Sequence, residues 1–449
     1  MYIVLPQAVH LILDTLHQNH HSAYIIGGCV RDAVLGLLIH DYDITTSARP
    51  ELVQELFQNK GITVIPTGLK HGTLTLRIDH ENYEVTTFRT DKNYQNHRTP
   101  QEVTFADTLL EDVKRRDFTI NTLAYNEETG LLDLVGGLED LNKRIIRCVG
   151  DAEKRFEEDA LRMLRALRFS MTLHFSIEQN TWSALKKHAH LLTFISAERI
   201  RDEWNRMLMS EYDHILDLLY DSGVLTILFP ELSKLYHHNQ HSLWHPYDMF
   251  QHTQTALQHT IGYTLIEKLA VVFHDIGKPD TMYLDENHHG HFPHHAKVSK
   301  ELAAQVMKRL KYDHTTMDTV CTLIACHDYY LQPNERFMRR FLGKLGGDYA
   351  LCRSIIKVQL ADDQAKEQIR AKEKIEILLQ CQKILNELEQ QCPALTLASL
   401  AVDGNDLKAL GLTGVQIGKG LNIILQAVIE GSITNTKADC LSYIKKHVS

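Results

Sequence analysis

Asp41 and Asp43 stand one residue apart, shortly after the run Gly27-Gly28-Cys29-Val30-Arg31-Asp32. In an extended chain, residues i and i+2 point to the same face. Two carboxylates side by side repel each other unless a cation neutralises them. Mg²⁺ prefers oxygen ligands and binds through one or two carboxylates plus substrate phosphates. Two such ions about 3.5–4 Å apart can stabilise the attacking and leaving oxygens of a phosphoryl or nucleotidyl transfer. The Gly27-Gly28 pair lets the backbone approach a ligand, and a helix starting there offers free N–H groups to phosphate oxygens. Arg31, one turn further, can reach the same phosphates. Alone, a Gly-Gly turn is most often a plain turn and a DxD most often a solvated one. In this order and spacing they point to a metal-dependent site for a nucleoside triphosphate.

These residues need a strand, a turn and a helix to position them. Ala23-Tyr24-Ile25-Ile26 reads as a short buried strand and Val30 to Leu38 as a helix. Thr73 to Asp79 and Tyr83 to Phe88 read as further strands. Glu84, on the second of these, is the candidate third carboxylate; an exposed strand glutamate is the equally good alternative. Beyond about residue 140, helical periodicity dominates. A chain of 449 residues is too long for one core, so two to four domains are expected. Candidate boundaries lie near Gly136-Gly137, near Phe229-Pro230 and after the charged stretch 366–374. The net charge of −9 argues against wholesale wrapping around nucleic acid, while a local basic face remains open. The eight cysteines are scattered without a CxxC pair, and no signal peptide or membrane-spanning run is read, so a cytoplasmic setting is expected.

The run Arg155 to Phe169 is helical by composition. Glu158 and Arg162 are i, i+4 neighbours and Asp159 and Arg162 are i, i+3 neighbours, which surface ion pairs would explain. Yet Arg162, Arg165 and Arg168 recur every third position amid Leu, Met and Phe, an unusual pattern for a solvated face.

The segment from Gly27 to Asp43 resembles the first motif of the polymerase-β-like superfamily, in the class II (bacterial-type) CCA-adding tRNA nucleotidyltransferase and poly(A) polymerase family. Arg115-Arg116-Asp117-Phe118-Thr119-Ile120-Asn121 resembles the family's second motif, which implies that Arg116 and Asp117 engage the ribose and phosphates. Asp133 to Gly137 resembles the link between head and neck. Glu158-Asp159 with Arg162 resembles the family's EDxxR element, where side chains replace a nucleic-acid template. Cytosine and adenine both show an amine donor beside a ring-nitrogen acceptor. Asp159 can accept from the amine while Arg162 donates to the ring nitrogen, which favours CTP and ATP over UTP and GTP. The resemblance implies that Arg165 and Arg168 extend this pocket. Ala197 to Glu203 resembles the motif that buttresses the template helix; a capped, salt-bridged helix fits nearly as well.

The resemblance therefore implies an α/β nucleotidyltransferase head (a polymerase-β-like mixed sheet), then an all-α neck, HD and tail region. The divisions expected are 1–140, 141–235, 236–375 and 376–449. Phe88 to Pro100 resembles the flexible loop of members that add C as well as A, although Asn96 and Thr99 stand where the usual pattern has Asp and Arg. Gly68 to Thr73 fits the CCA-adding form, and a basic G-[RK]-R-F run of poly(A) polymerases is not found. The activity implied is Mg²⁺-dependent addition of CCA to tRNA from CTP and ATP, with pyrophosphate released. A poly(A) polymerase, a partial CC- or A-adding enzyme, or a phosphohydrolase acting on RNA ends are the alternatives.

His252, His274-Asp275, His295 and Asp362 follow the order of the HD phosphohydrolase domain. They would bind a further divalent metal, with a metal-free helical scaffold as the alternative. His294 competes with His295, Asp363 competes with Asp362, and His327-Asp328 is a further candidate. Gly411, Gly414 and Gly418 lie in a segment resembling the tRNA-binding tail. No membrane partner is expected, and the oligomeric state is not legible.

Overall fold

A computed structural model describes residues 2–95, 99–241, 247–391 and 396–447. The chain forms two compact units, Met1–Phe229 and Pro230–Ser449.

The first unit opens on a seven-stranded mixed sheet in the order β3-β4-β5-β2-β1-β8-β9. Its strands are β1 (Ala23–Ile26), β2 (Asp43–Thr46), β3 (Thr63–Gly68), β4 (Thr73–Ile78) and β5 (Glu81–Thr87), completed by β8 (Ala124–Asn126) and β9 (Gly130–Leu132). Only β2 and β5 run parallel, and their register sets Asp43 beside Glu84. Ile25, Ile44 and Val85 are buried in this sheet. The helix after β1 spans Gly28–Leu35 and stops at Gly36, whose left-handed backbone closes it three residues before the sequence suggested.

The segment Phe88 to Pro100, which resembles the family's flexible loop, overlaps a pair of antiparallel strands, β6 (Arg89–Gln95) and β7 (Thr99–Phe105). Asn96 lies outside the described residues, as does the side chain of Thr99.

After residue 140 the described residues are helical, apart from two pairs of two-residue strands. One expected helix is two. Ala152–Glu158 ends at Asp159, whose backbone is extended, and a second helix spans Leu161–Leu173. The Asp159 carboxylate accepts from Leu161 N (3.1 Å), so the aspartate bonds to the start of the next helix rather than continuing the first. The helix Ala197–Leu208 packs on Leu161–Leu173 and buries Ile200, Trp204 and Met207.

The second unit packs the helices Met249–Gln258, Leu265–Phe273, His295–Arg309, His314–Ala325 and Tyr349–Gln364. Leu265–Phe273 starts at a reciprocal Thr264–Glu267 capping box. A small separate core around Leu407, Ile424, Cys440 and Ile444 holds the last helices. None of the described helices is long and apolar enough to cross a membrane.

Candidate active site and metal centre

In the first unit, Gly27 sits at φ +89°, a conformation that side chains rarely adopt, and its amide donates to Leu123 O (3.1 Å). A Cβ there would lie 3.7 Å from the Arg116 guanidinium and 3.9 Å from Asp43 Oδ2. The turn, the arginine and the aspartate therefore share one small space. Asp41 is in the loop before β2 rather than inside a strand, and Asp43 is the first strand residue. The surrounding protein raises the Asp43 carboxyl above its ordinary range; Arg116 opposes this and Asp41 adds to it. Glu84 is raised by its surroundings, then by Asp43 and Asp41. Three neighbouring, exposed carboxylates, with Asp43 and Glu84 raised, fit the donor set of Mg²⁺.

The arginines are tied to carboxylates. Asp112 has no exposed side-chain surface. Its Oδ1 accepts from Arg115 (2.6 and 2.9 Å) and its Oδ2 from Arg116 (3.1 and 3.3 Å). Asp117 accepts from Phe118 N (2.7 Å) and from Arg165 Nε (2.7 Å). Burial alone would raise the Asp117 carboxyl, but Arg165 and these hydrogen bonds bring it down to about 2. Arg31 donates to Asn121 (2.7 Å) and Asp32 (2.8 Å), and Asn121 donates to Asp117 (3.2 Å). Arg31, Arg165 and Arg168 stack over the ring of Phe169 at 5.1, 5.3 and 4.0 Å.

Two expected base readers have protein partners in this structure. Arg162 is buried and donates to Glu158 (2.8 Å), Arg155 O (3.0 Å) and Arg115 O (2.7 Å). Asp159 pairs with Arg199 (3.1 Å). Arg168 is buried against Glu203 (2.5 Å), so the helix carrying Arg199 and Glu203 braces both sides of the element. Sequence reading gave no role to Asp112, Asn121 or Phe169. The spacing of Asp112 to Arg115 and Arg116 (i+3 and i+4) was the available signal.

In the second unit, His252, His274, Asp275, His295 and Asp362 do come together. His252 Nε2 is 3.0 Å from Asp362 Oδ1 and 3.6 Å from Asp275 Oδ2. His274 Nε2 is 3.2 Å from Asp275 Oδ2, and His295 Nε2 is 3.5 Å from Asp275 Oδ1. His327 joins them, 3.6 Å from Asp275 Oδ1. His294 is exposed at the left-handed N-cap of the helix that His295 begins. Asp363 meets Lys366 (2.7 Å), while Asp362 bonds to that lysine and also meets the imidazoles. Gly277 permits close packing, since a Cβ there would come within 2.5 Å of Ser299 N. Asp275 is 1% exposed, and its two oxygens and His274 Nε2 lack a well-aligned hydrogen bond, although Lys278 Nζ lies 2.6 Å from Oδ2. Buried unsatisfied groups converging from several helices fit a divalent cation. In the tail, Gly411 and Gly414 have positive φ, and Gly418 lies in the helix Val415–Ile429.

The chain is similar to several known proteins. Residues 23–147 match the model described as "Poly A polymerase head domain". Residues 174–235 match "Probable RNA and SrmB- binding site of polymerase A", and 290–444 match a tRNA nucleotidyltransferase domain 2 model. The chain is 52% identical over 196 residues to the CCA-adding enzyme of Lactobacillus helveticus, covering 44% of this chain and 48% of that protein. It is 49% identical over 219 residues to that of Leuconostoc mesenteroides, covering 48% and 53%. The chain thus spans about half the length of the curated relatives it matches. The structure of the Bacillus stearothermophilus CCA-adding enzyme in complex with CTP superposes with a TM-score of 0.70 at 28% identity, covering 99% of this chain and 98% of that one. The Thermotoga maritima CCA-adding enzyme complexed with tRNA shares the fold, with a TM-score of 0.61 at 19% identity, covering 99% and 97%. Residues 23–147 thus match the poly(A) polymerase head model, and the chain is similar in sequence and in fold to CCA-adding enzymes.

Proposed function

We propose that the chain adds C, C and A to the 3′ end of tRNA from CTP and ATP, releasing pyrophosphate. The observation that carries this reading is the convergence of Asp41, Asp43 and Glu84 on the Gly27 turn, with Arg116 beside it. The Gly28 helix start and Arg116 bind the triphosphate, and Asp41, Asp43 and Glu84 hold Mg²⁺. Bound there, Mg²⁺ neutralises the carboxylates and polarises the phosphates. The terminal ribose 3′-oxygen bonds to the α-phosphorus, the bond to the β-phosphate oxygen breaks, and the hydroxyl proton leaves to solvent. Arg31 and Asp117 position the nucleotide from opposite sides of Asn121, which bonds to both. Asp159 and Arg162 read the base when they exchange Arg199 and Glu158 for it, and Arg165 and Arg168 support the pocket.

On this reading residues 1–140 are the head, 141–235 the neck, 236–375 an HD domain and 376–449 a tail contacting tRNA phosphates. The cytoplasm is the fitting setting, since the cysteines of the described residues are all unpaired thiols. Incubation with tRNA lacking its 3′ CCA, given CTP and ATP separately and together, tests the proposal. Two C additions followed by one A support it; a long A tract without C refutes it in favour of a poly(A) polymerase.

The histidine cluster favours a second activity in the same chain. His252, His274, Asp275, His295 and Asp362 hold a divalent metal, and a cleft of about 100 Å³ lined by His327, Tyr329, Asp362, Lys366 and Lys374 opens beside them. Hydrolysis of a phosphoester at an RNA end or on a nucleotide suits a metal beside two lysines. Phosphate release that persists after Asp275→Asn would remove this reading.

A further inference from the structure

We propose that a pocket at the far end of the helix Leu161–Leu173 takes one unpaired nucleobase of the RNA acceptor, stacked on Trp182, Tyr212 and His174. The inference rests on the RNA reading above and adds a contact outside the nucleotide-selecting residues.

His174 ends that helix in a left-handed conformation (φ 53°). The helix has 13 residues and rises about 1.5 Å per residue, so its cap lies about 20 Å from its start. The pocket is therefore separate from the one assigned to Asp159 and Arg162. After the cap, Ser176–Ile177 pairs with Ile145–Ile146, and the helix Gln179–His188 follows. These elements and the loop at Tyr212 enclose a cavity of about 420 Å³. Small-molecule sites occupy about 300–1,000 Å³.

The wall of the cavity is aromatic. Phe175 is buried in it, Trp182 and Tyr212 are half-buried, and His174 is exposed. The His174 and Tyr212 rings are 6.0 Å apart and tilted by 36° rather than stacked on each other. Among the described residues, the Tyr212 hydroxyl, the Trp182 indole N–H and the His174 ring nitrogens have no hydrogen-bond partner. Gln179 uses only its NH₂, on Ser183 (3.3 Å), and its carbonyl oxygen remains able to accept. A nucleobase matches this composition, since its faces stack on rings and its edges carry donors and acceptors.

Charge separates an RNA base from an apolar protein side chain as the occupant. Arg144 and Lys186 border the pocket. Ser176 N donates to Arg144 O (3.0 Å), and Lys186 Nζ lies 5.7 Å from the centroid of the Trp182 ring. Both cations are exposed, and neither has an acidic partner among the described residues. Two acids beside the pocket are engaged by other groups: Asp217 by His214 (2.9 Å), and Glu178 by Thr181 N (2.9 Å) and Arg147 (3.5 Å). The phosphates on either side of a bound base supply anions to Arg144 and Lys186. An apolar side chain fills the cavity and leaves both cations unmatched.

The test is binding of the full chain to tRNA lacking its 3′ CCA, in the absence of CTP and ATP. It is followed by tryptophan fluorescence and by the anisotropy of a labelled tRNA. A base stacked on the Trp182 indole quenches it, so RNA-dependent quenching is expected in the wild type. Trp182→Phe is expected to lose that quenching and keep the affinity, because the new ring still stacks. Trp182→Ala and Tyr212→Ala are each expected to weaken binding about tenfold, and to raise the KM for tRNA but not that for CTP. Equal quenching in the wild type and Trp182→Phe, or wild-type affinity in both alanine variants, overturns the proposal. CCA addition without this quenching refutes the pocket alone. Quenching without CCA addition refutes the reading of the activity and leaves the pocket standing. The comparison of wild type with Trp182→Phe decides the matter even if an alanine variant fails to fold.

Discussion

Replacing Asp112 by Asn keeps the shape of a fully buried side chain and removes its charge. In the native protein its two oxygens take four guanidinium N–H bonds, from Arg115 at 2.6 and 2.9 Å and from Arg116 at 3.1 and 3.3 Å. The amide presents an NH₂ to one of these arginines, donor against donor. Losing one partner of a buried ion pair costs about 3–5 kcal/mol. The Arg115 and Arg116 side chains are 17% and 19% exposed, so water can partly solvate them, and the lower end, about 3 kcal/mol, is expected. The assay is urea unfolding followed by tryptophan fluorescence in a Trp244→Phe background, which leaves Trp182 and Trp204 as reporters of the first unit. Because Arg116 also lies beside Gly27 and offsets the charge of Asp43, CMP incorporation at subsaturating CTP is expected to fall at least tenfold. A stability loss below about 1 kcal/mol with unchanged incorporation would refute the view that Asp112 anchors this arginine pair.

Asp43→Ala is expected to abolish nucleotide incorporation in a tRNA extension assay, and Glu84→Gln to slow it at least tenfold; a wild-type rate for Glu84→Gln excludes it from the metal site. Glu203→Gln leaves Arg168 without its buried partner and is expected to cost about 3–5 kcal/mol in urea unfolding, while Arg168→Met combined with Glu203→Leu recovers most of that loss. A double variant as unstable as the single one contradicts this. The Asp117 carboxyl, at about 2 when folded against 3.8 ordinarily, contributes about 2 kcal/mol of stability at pH 7. A depressed carboxyl pKa stabilises fully above the unfolded value and fades as pH falls toward the folded one. The advantage of wild type over Asp117→Asn is therefore expected to shrink by about 1 kcal/mol between pH 7 and pH 3, and a gap independent of pH would oppose the assignment.

The head was legible because its chemistry is local. Gly27, Gly28, Asp41 and Asp43 lie within 17 residues, and a strand, a turn and a helix place them with little tertiary information. Glu84 was a weaker inference, because only the parallel pairing of β2 with β5 brings it beside Asp43. The histidines were legible as a set, since His274-Asp275 marks the centre and the others follow in order. Their division between Oδ1 and Oδ2 of Asp275 was not, because it depends on how five segments converge. The break at Asp159 was missed because composition there favours helix on both sides. At the break the aspartate carboxylate accepts from Leu161 N and from Arg199.

The three arginines of the neck show how a correct pattern can carry an incomplete inference. Their stride of three set guanidiniums amid apolar residues, and the resemblance implied that Arg165 and Arg168 extend the pocket of Arg162. An α-helix turns about 100° and rises about 1.5 Å per residue, so each step of three moves about 60° around the axis and about 4.5 Å along it. Side chains on that path fan out to different hydrogen-bond partners, although Arg165 and Arg168 share the ring of Phe169. Arg162 reaches the carbonyl of Arg115, Arg165 the carboxylate of Asp117, and Arg168 the carboxylate of Glu203. One short helix thereby fixes the backbone of the Arg115–Asp117 motif, the acid within it, and the helix behind. Arg165 is the member of the three whose charge is felt at Asp43. It couples the position of the helix Leu161–Leu173 to the carboxylates, so a shift of that helix also alters the electrostatics at Asp43.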